Sequence, residues 1–506
     1  MKDLLVLPSA AGQHVVNVGQ TAEHAADFLG KSGIYFRKGD NMLRFDQDDL
    51  KTVSGPVAQT LLFENMNVVK WAGKGDKATL VPATEIKEPI IKAILHGHYV
   101  EKFIPPITVV STKAFLALVD GTLVMLKQGY NKERNGVFVM KGGDIPDVPP
   151  EEAVESIIAL FHDFLFATES DRSRAIAFIF NAAFRIAGIF ERHPLIAFEA
   201  DDSQAGKGLL WSMICAIFGQ KYGMIAQKRG GVGSFDEALM EKLVAGNGFI
   251  LFDNVRGKID SPYLEACLTS EDGTIEARVP GVRSIIVDPR PVVFGLTSNA
   301  AELTTDLANR TMMTRIRKRP PGYVFKTWYD SSGNESDIRE HIQSKQNYYQ
   351  GCVNAILKDW WGSGAKRNPC TEHSFKQTIG ALDYIVQNYF KLPPILDGHQ
   401  VALERTTKPG MTWLRQIALK AADYWHVTGW TAGKIAERCN ADGFPIPGHS
   451  SEHGDSTAAQ KIGILMASSF GTADHIMIDA VRIERSIDRD TEGHDRKIYT
   501  FRKITS

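Results

Sequence analysis

A short apolar strand running straight into a Gly-Lys loop and an apolar helix, HPLIAFEADDSQAGKGLLWSMICAIFG at residues 193–219, constrains this chain more than any other stretch. Those are the parts of a phosphate-binding loop: glycine-rich backbone presents successive N–H groups at a helix N-terminus, and a lysine reaches the outer phosphate oxygens. Set against G-x-x-x-x-G-K-[ST], the residues Asp201, Gly206, Lys207 and Gly208 match only at the two central positions. Asp201 replaces the first glycine, and Gly208 replaces the hydroxyl that normally ligates magnesium. The residues expected to cradle phosphates are Asp202, Ser203, Gln204, Ala205, Gly206, Lys207, Gly208 and Leu209. The competing reading is a plain strand-to-helix turn with an exposed lysine.

The downstream sequence favours the loop. In GNGFILFDNV, Phe249 to Phe252 read as a buried strand with Asp253 at its carboxyl end, where a metal-holding acid is needed. A third apolar run, RPVVFGLTSNA, ends in the polar Asn299, and TTDLANRTMMTRIRKR then supplies Asp306, Arg310 and Arg315. This constellation resembles AAA+ ATPases, and more narrowly the helicase half of primase-helicase replication proteins of phages, plasmids and integrated elements. Those in turn resemble minichromosome-maintenance and superfamily-three helicases. The likeness is best over residues 150–325. It implies ATP and Mg²⁺ as cofactors, with Lys207 on the β and γ phosphates, Asp253 on the metal and Asn299 on the attacking water or γ phosphate. Arg310 would reach the nucleotide of a neighbouring subunit, which makes the active form a homo-oligomeric ring, expected to be a hexamer. Two departures concern hydrolysis. Without a hydroxyl at Gly208 the metal depends more on Asp253, phosphates and water. Asn254 stands where a catalytic glutamate usually follows the aspartate, so the water is polarised by Asn254 or by an acid from elsewhere, such as Asp236 or Glu237.

The implied architecture is α/β: an AAA+ P-loop core at residues 151–325, an N-terminal α+β module at 1–150, a helical lid or linker at 326–409 and a C-terminal winged-helix domain at 410–506. In the first module, strand-like runs surround helical stretches near residues 21–29 and 88–96, and Asp120-Gly121 and Asn135-Gly136 are hairpin turn signals. A Pro-rich hinge followed by Glu151 and Glu152 opens a helix and sets the boundary. TSEDGTIEARVPGVRSIIVDPR alternates on both sides of Pro280-Gly281, a hairpin at the place where the resembled helicases insert a pore hairpin. Arg278 and Arg283 flank its turn and would track phosphates of single-stranded or forked DNA, unless they are two solvated surface charges. Near the C-terminus, two Gly-closed helices are followed by strand-like runs about Glu492-Gly493, with Arg482, Arg485, Arg489, Arg496 and Lys497 as wing contacts to DNA. Winged helices also bind proteins, so replication partner proteins are a second use for this module. Trp360, Trp361 and Tyr389 read as core rather than stacking platforms.

A formal charge of -1 excludes a wholly basic nucleic-acid coat and makes any DNA contact patchy. Five scattered cysteines without a C-x-x-C pair support neither a zinc ribbon nor a disulfide framework, and the expected home is a reducing cytoplasm. No apolar run reaches membrane-spanning length. The function expected is a ring-forming, ATP-dependent DNA helicase or translocase of a mobile element. The alternative is an ATP-binding initiator or loader-like factor without sustained unwinding, which Gly208 and Asn254 favour. Primase chemistry in the first module is not supported, since Asp40, Asp46, Asp48 and Asp49 read as solvated side chains of a strand-turn element.

Overall fold

The computed structural model describes all residues except 1, 40, 47–48, 135, 201–203, 227–233, 278–284, 408, 423–428, 445, 448–456, 471–472, 479–480, 490–494 and 504–506; for a few others, among them 256–258, 300–301 and 404–405, only the main chain is described. The chain is a mixed α/β protein with three main hydrophobic clusters.

The central cluster surrounds a six-stranded sheet. Its strands are β1 (Leu195–Ala200), β2 (Gly223–Ala226), β3 (Phe249–Ile259), β4 (Val293–Leu303) and β5 (Thr311–Arg317), with Leu165–Phe166 as an antiparallel edge strand on β5. The spatial order is edge, β5, β1, β4, β3, β2, and the five long strands are parallel. Parallel strands covered on both faces lose the in-out alternation, which is why Leu195–Ala200 is buried at every residue. The chain leaves β1 through helix α1 (Lys207–Ile217) toward β2 at the far edge, whereas it leaves β4 through a short helix (Thr305–Ala308) toward β5 on the other side of β1. Between β1 and β4 the connections therefore diverge, and the crevice at the carboxyl ends of two such strands is where open α/β sheets bind ligands.

Helix Glu169–Ala187 is buried around nearly its whole circumference, capped by Thr168 and closed by left-handed Gly188. Trp211 of α1 lies so close to Gly295 on β4 that a Cβ there would run into its ring. The helices Ile338–Ser344, Gln346–Gly362 and Lys376–Asn388 contribute to the same central cluster, with Trp360 fully buried. Residues 109–148 join it too, through Val109, Phe115, Leu116, Leu126 and Val137. The hairpin Leu116–Val119/Thr122–Met125 turns through Asp120 (φ 49°) and Gly121 (φ 78°), both left-handed as a type I′ turn requires. Asn135, of the second turn signal, lies outside the described residues.

The N-terminal cluster runs from Leu5 to Ile104 and packs helices Val18–Lys31, Gly55–Asn65 and Glu88–His96 with two three-stranded sheets. Helix Gly55–Asn65 is an addition to the sequence reading; its signal was Ser54 ahead of Gly55-Pro56. Asp46 pairs with Lys51, while Asp40 and Asp48 lie outside the described residues. The hairpin Tyr35–Lys38/Asn41–Asp46 reaches the central unit: Lys38 Nζ donates to the Ala245 carbonyl at the end of helix Phe235–Val244, and Gly39 lies against Ile285. Burial there pulls the Lys38 ammonium down to about 8.

The C-terminal cluster is built from helices Pro409–Lys420, Ala432–Ala441 and Ala458–Phe470 and an antiparallel sheet of His475–Ile478, Val481–Arg489 and Asp495–Lys503. Trp430 adds an isolated bridge to Tyr499. Among the described residues no helix is long and apolar enough to cross a membrane. All five cysteines are free, and four are buried.

Candidate functional site

The site lies at the divergence point between β1 and β4. After Ala200 the backbone turns left-handed at Gln204 (φ 61°) and Gly206 (φ 100°), and Gly206 caps α1, of which Lys207 is the first residue. Residues 201–203, including Asp202 and Ser203, lie outside the described residues; Gln204, Ala205, Gly206, Lys207, Gly208 and Leu209 form the described part of the loop. Gly206 suits its place twice, since a side chain would be strained at that φ and its Cβ would press on the Phe164 ring. Nothing lies within 4 Å of a Cβ added at Gly208. Leu209 is partly exposed, and Leu210 and Trp211 turn into the core.

Lys207 Nζ donates to Asn299 Oδ1, so two residues 92 positions apart in the chain meet across the crevice. Asn299 does not end its strand. β3 and β4 stay paired as far as Ile259 and Leu303, after a break in register at Asp253 and Asn254. Phe252 pairs with Leu296 and Val255 with Ser298, which leaves two residues on β3 opposite the single Thr297 on β4, a bulge. Asn254 is left-handed there (φ 50°), a conformation asparagine tolerates better than most residues. Thr297 is 2% exposed; its hydroxyl donates to Asp253 Oδ1 at 2.7 Å and accepts the Asn254 N–H at 2.8 Å. Sequence reasoning missed Thr297, although it stands two residues before Asn299 in the run already singled out. It also missed Glu199, a buried carboxylate that lies in register between Ser298 and Arg315, near the end of β1. An acid in an otherwise apolar strand was the available signal.

The two acids named as substitutes for a catalytic glutamate both serve helix starts. Asp236 accepts the hydroxyl of Ser261, which caps helix α2 (Pro262–Thr269), and Glu237 forms a capping box with Ser234. Arg310 is engaged within its own chain: Nη1 is 3.0 Å from Glu265 Oε2 on α2, and Thr304 donates to Glu265 Oε1 at 2.8 Å. Among the described residues no group of three or more His, Cys, Asp or Glu side chains is placed to hold a metal ion by itself. A magnesium ion fits what is present, because it retains waters readily and is commonly held by one or two carboxylates with substrate phosphates. Among the described residues, Asp253 is the carboxylate beside Asn254 and Thr297 that would hold it.

Of the DNA candidates, Arg278 and Arg283 lie outside the described residues; their hairpin arms, Ile275–Ala277 and Ile285–Val287, pair antiparallel. On the C-terminal sheet, Arg482 is beside Glu484 at 3.2 Å, Arg489 beside Asp495 at 3.3 Å and Arg496 beside Asp488 at 3.4 Å. Arg485 folds back, donating to the Ala473 carbonyl and lying over Phe470. Lys497 is exposed on the strand that pairs with Ile487. The turn at Glu492-Gly493 lies outside the described residues.

No family model and no curated protein matches the chain. Among solved structures it is similar to the apo A form of the NrS-1 C-terminal region, at 11% identity over 94% of this chain and 98% of that chain, TM-score 0.39. It is similar to the active helicase Cch of SCCmec type IV, at 10% identity over 92% and 90%, TM-score 0.34. It also resembles an inhibitor-bound JCV helicase, at 15% identity over 41% and 54%, TM-score 0.24. Superpositions this loose leave the geometry of the site itself as the ground for what the protein does.

Proposed function

We propose that the chain is an ATP-dependent DNA helicase or translocase that works as a homo-oligomeric ring, with Lys207, Asp253, Asn299 and Arg310 as its nucleotide machinery. The observation that carries this reading is the meeting of Lys207 and Asn299 across the crevice between β1 and β4, with Asp253 on the neighbouring β3. A lysine and helix N-terminus attract phosphate, an adjacent carboxylate suits a divalent ion, and an amide can orient water. Bound magnesium would neutralise charge developing on the transferred phosphoryl group. Lys207 would exchange Asn299 for phosphate oxygen when nucleotide enters, freeing the amide for the attacking water.

A second reading, an ATP-binding initiator or loader without sustained unwinding, draws on a specific observation: Asp236 and Glu237, the two acids expected to replace the glutamate, are both committed to helix starts. The test is steady-state ATP hydrolysis by wild type and Lys207→Ala, with and without single-stranded DNA, followed by displacement of an annealed oligonucleotide. DNA-stimulated, Lys207-dependent turnover with displacement supports the motor. Turnover without displacement supports the loader, and nucleotide binding that ignores Lys207 refutes both.

A further inference from the structure

Resting on the nucleotide reading above, we infer that Thr297 is a positioning residue that fixes Asp253 for the metal and compensates for the hydroxyl missing at Gly208. Where β3 bulges, the Asn254 N–H has no residue of β4 in register with it, and although Asn254 is exposed as a residue, this part-buried main-chain donor still needs an acceptor. The Thr297 hydroxyl accepts that N–H and donates its own O–H to Asp253 Oδ1, so one side chain both closes the bulge and holds the carboxylate. A hydroxyl that accepts one bond has a fixed direction for its donated bond. At 2% exposure, water does not compete readily for either. Thr297 thereby fixes the orientation of the Asp253 carboxylate, which would hold the metal. Ser298 secures the far side of the bulge by donating to the Val255 carbonyl at 2.9 Å. Where Gly208 provides no ligand, a metal held through Asp253 would depend more on that carboxylate, and its rotamer matters correspondingly more.

The test compares wild type, Thr297→Val, Thr297→Ser and the double variant Thr297→Val/Gly208→Ser. Equilibrium binding of a fluorescent ATP analogue is measured in EDTA and across a Mg²⁺ titration. The valine variant should bind as wild type in EDTA, within about twofold, and need about tenfold more Mg²⁺ for the same enhancement, the usual scale for losing a group behind a metal ligand. Serine should restore the wild-type titration, and a hydroxyl at residue 208 should recover part of the loss. Equal weakening with and without Mg²⁺, or an unchanged titration, overturns the assignment. Should the valine variant fail to fold, Thr297→Ala is measured in its place against the same criteria. If wild type itself shows no Lys207-dependent nucleotide binding, the reading of the nucleotide site fails, independently of Thr297.

Discussion

If Arg310 acts on a neighbour's nucleotide, it must first leave Glu265, and the strength of that pair sets a cost on activity. The two side chains are 25% and 20% exposed, 3.0 Å apart, and Glu265 is further fixed by Thr304. The gross attraction of such a pair is several kcal/mol in a medium of intermediate dielectric, but desolvation and lost side-chain freedom cancel most of it. A net value of about 1 kcal/mol is appropriate at this exposure. Glu265→Gln keeps the shape and an acceptor for Thr304 while removing the charge. Folding stability should fall by no more than about 1 kcal/mol, a shift of a few degrees in Tm for a unit of this size. The fraction of Arg310 free to cross to a partner should rise by about fivefold, since 1.4 kcal/mol is a factor of ten.

The assay is ATP turnover as a function of protein concentration, because an arginine supplied by a neighbour acts only on assembly. Glu265→Gln should raise turnover per subunit about threefold to fivefold when assembly is complete, and change little when the protein is dilute. Arg310→Ala should abolish the concentration-dependent part in both backgrounds. Refutation would be an Arg310→Ala protein with normal turnover, or a Glu265→Gln protein slowed at every concentration. The second result would mean that Glu265 orients Arg310 rather than restraining it.

Gly208→Ser should be tolerated, since nothing lies within 4 Å of the new Cβ, and should stabilise the start of α1 by a few tenths of a kcal/mol. In the nucleotide-binding titration it should also lower the Mg²⁺ requirement, and a higher requirement would count against the loop reading. Gly295→Ala forces a methyl group into the Trp211 ring and should cost about 1–3 kcal/mol in denaturant unfolding, with loss of nucleotide binding only as the fold is lost. Burial holds the imidazoles of His373 and His399 down at about 3 and about 4, so the unfolded chain takes up protons near pH 6.5 that the folded chain refuses. Their contribution is therefore complete above pH 6.5 and is lost as pH falls toward 4 and below; Tm should drop over that range, and less steeply in His373→Asn, whose amide oxygen can still accept the Phe375 N–H.

Local pattern carried the elements whose cause is local. Asp120-Gly121 specified its own turn, and Thr431 and Gly443 bracket helix Ala432–Ala441 as their residue types suggest. The strand, glycine turn and helix around Gly206 were legible for the same reason. The order of the strands was not, because a buried parallel strand is apolar throughout and carries no mark of which neighbour it will take. The bulge at Asp253-Asn254 was invisible because it is a mismatch between two strands about 40 residues apart, not a property of either. Thr297, in a run of small and polar residues, gained its role only from that mismatch. Likewise Glu265 reads as an ordinary helical glutamate until folding brings Arg310 to it.

Those long-range contacts converge on helix α2. It begins at Ser261, whose hydroxyl ties it to Asp236; it carries Glu265, which holds Arg310; and the chain after it forms the hairpin whose second arm begins at Ile285, against Gly39 of the N-terminal module. A displacement of the hairpin by a bound strand would thus be felt by the helix that restrains Arg310. For a motor this is the coupling that matters, since DNA must alter the rate at which a neighbour's nucleotide is hydrolysed. The physical warrant for such coupling is an element with two arrangements whose balance both sites bias. The pair of Arg310 with Glu265 is a candidate for that element: if DNA stimulates wild type by loosening the pair, Glu265→Gln should be raised in its absence and gain little more when DNA is added.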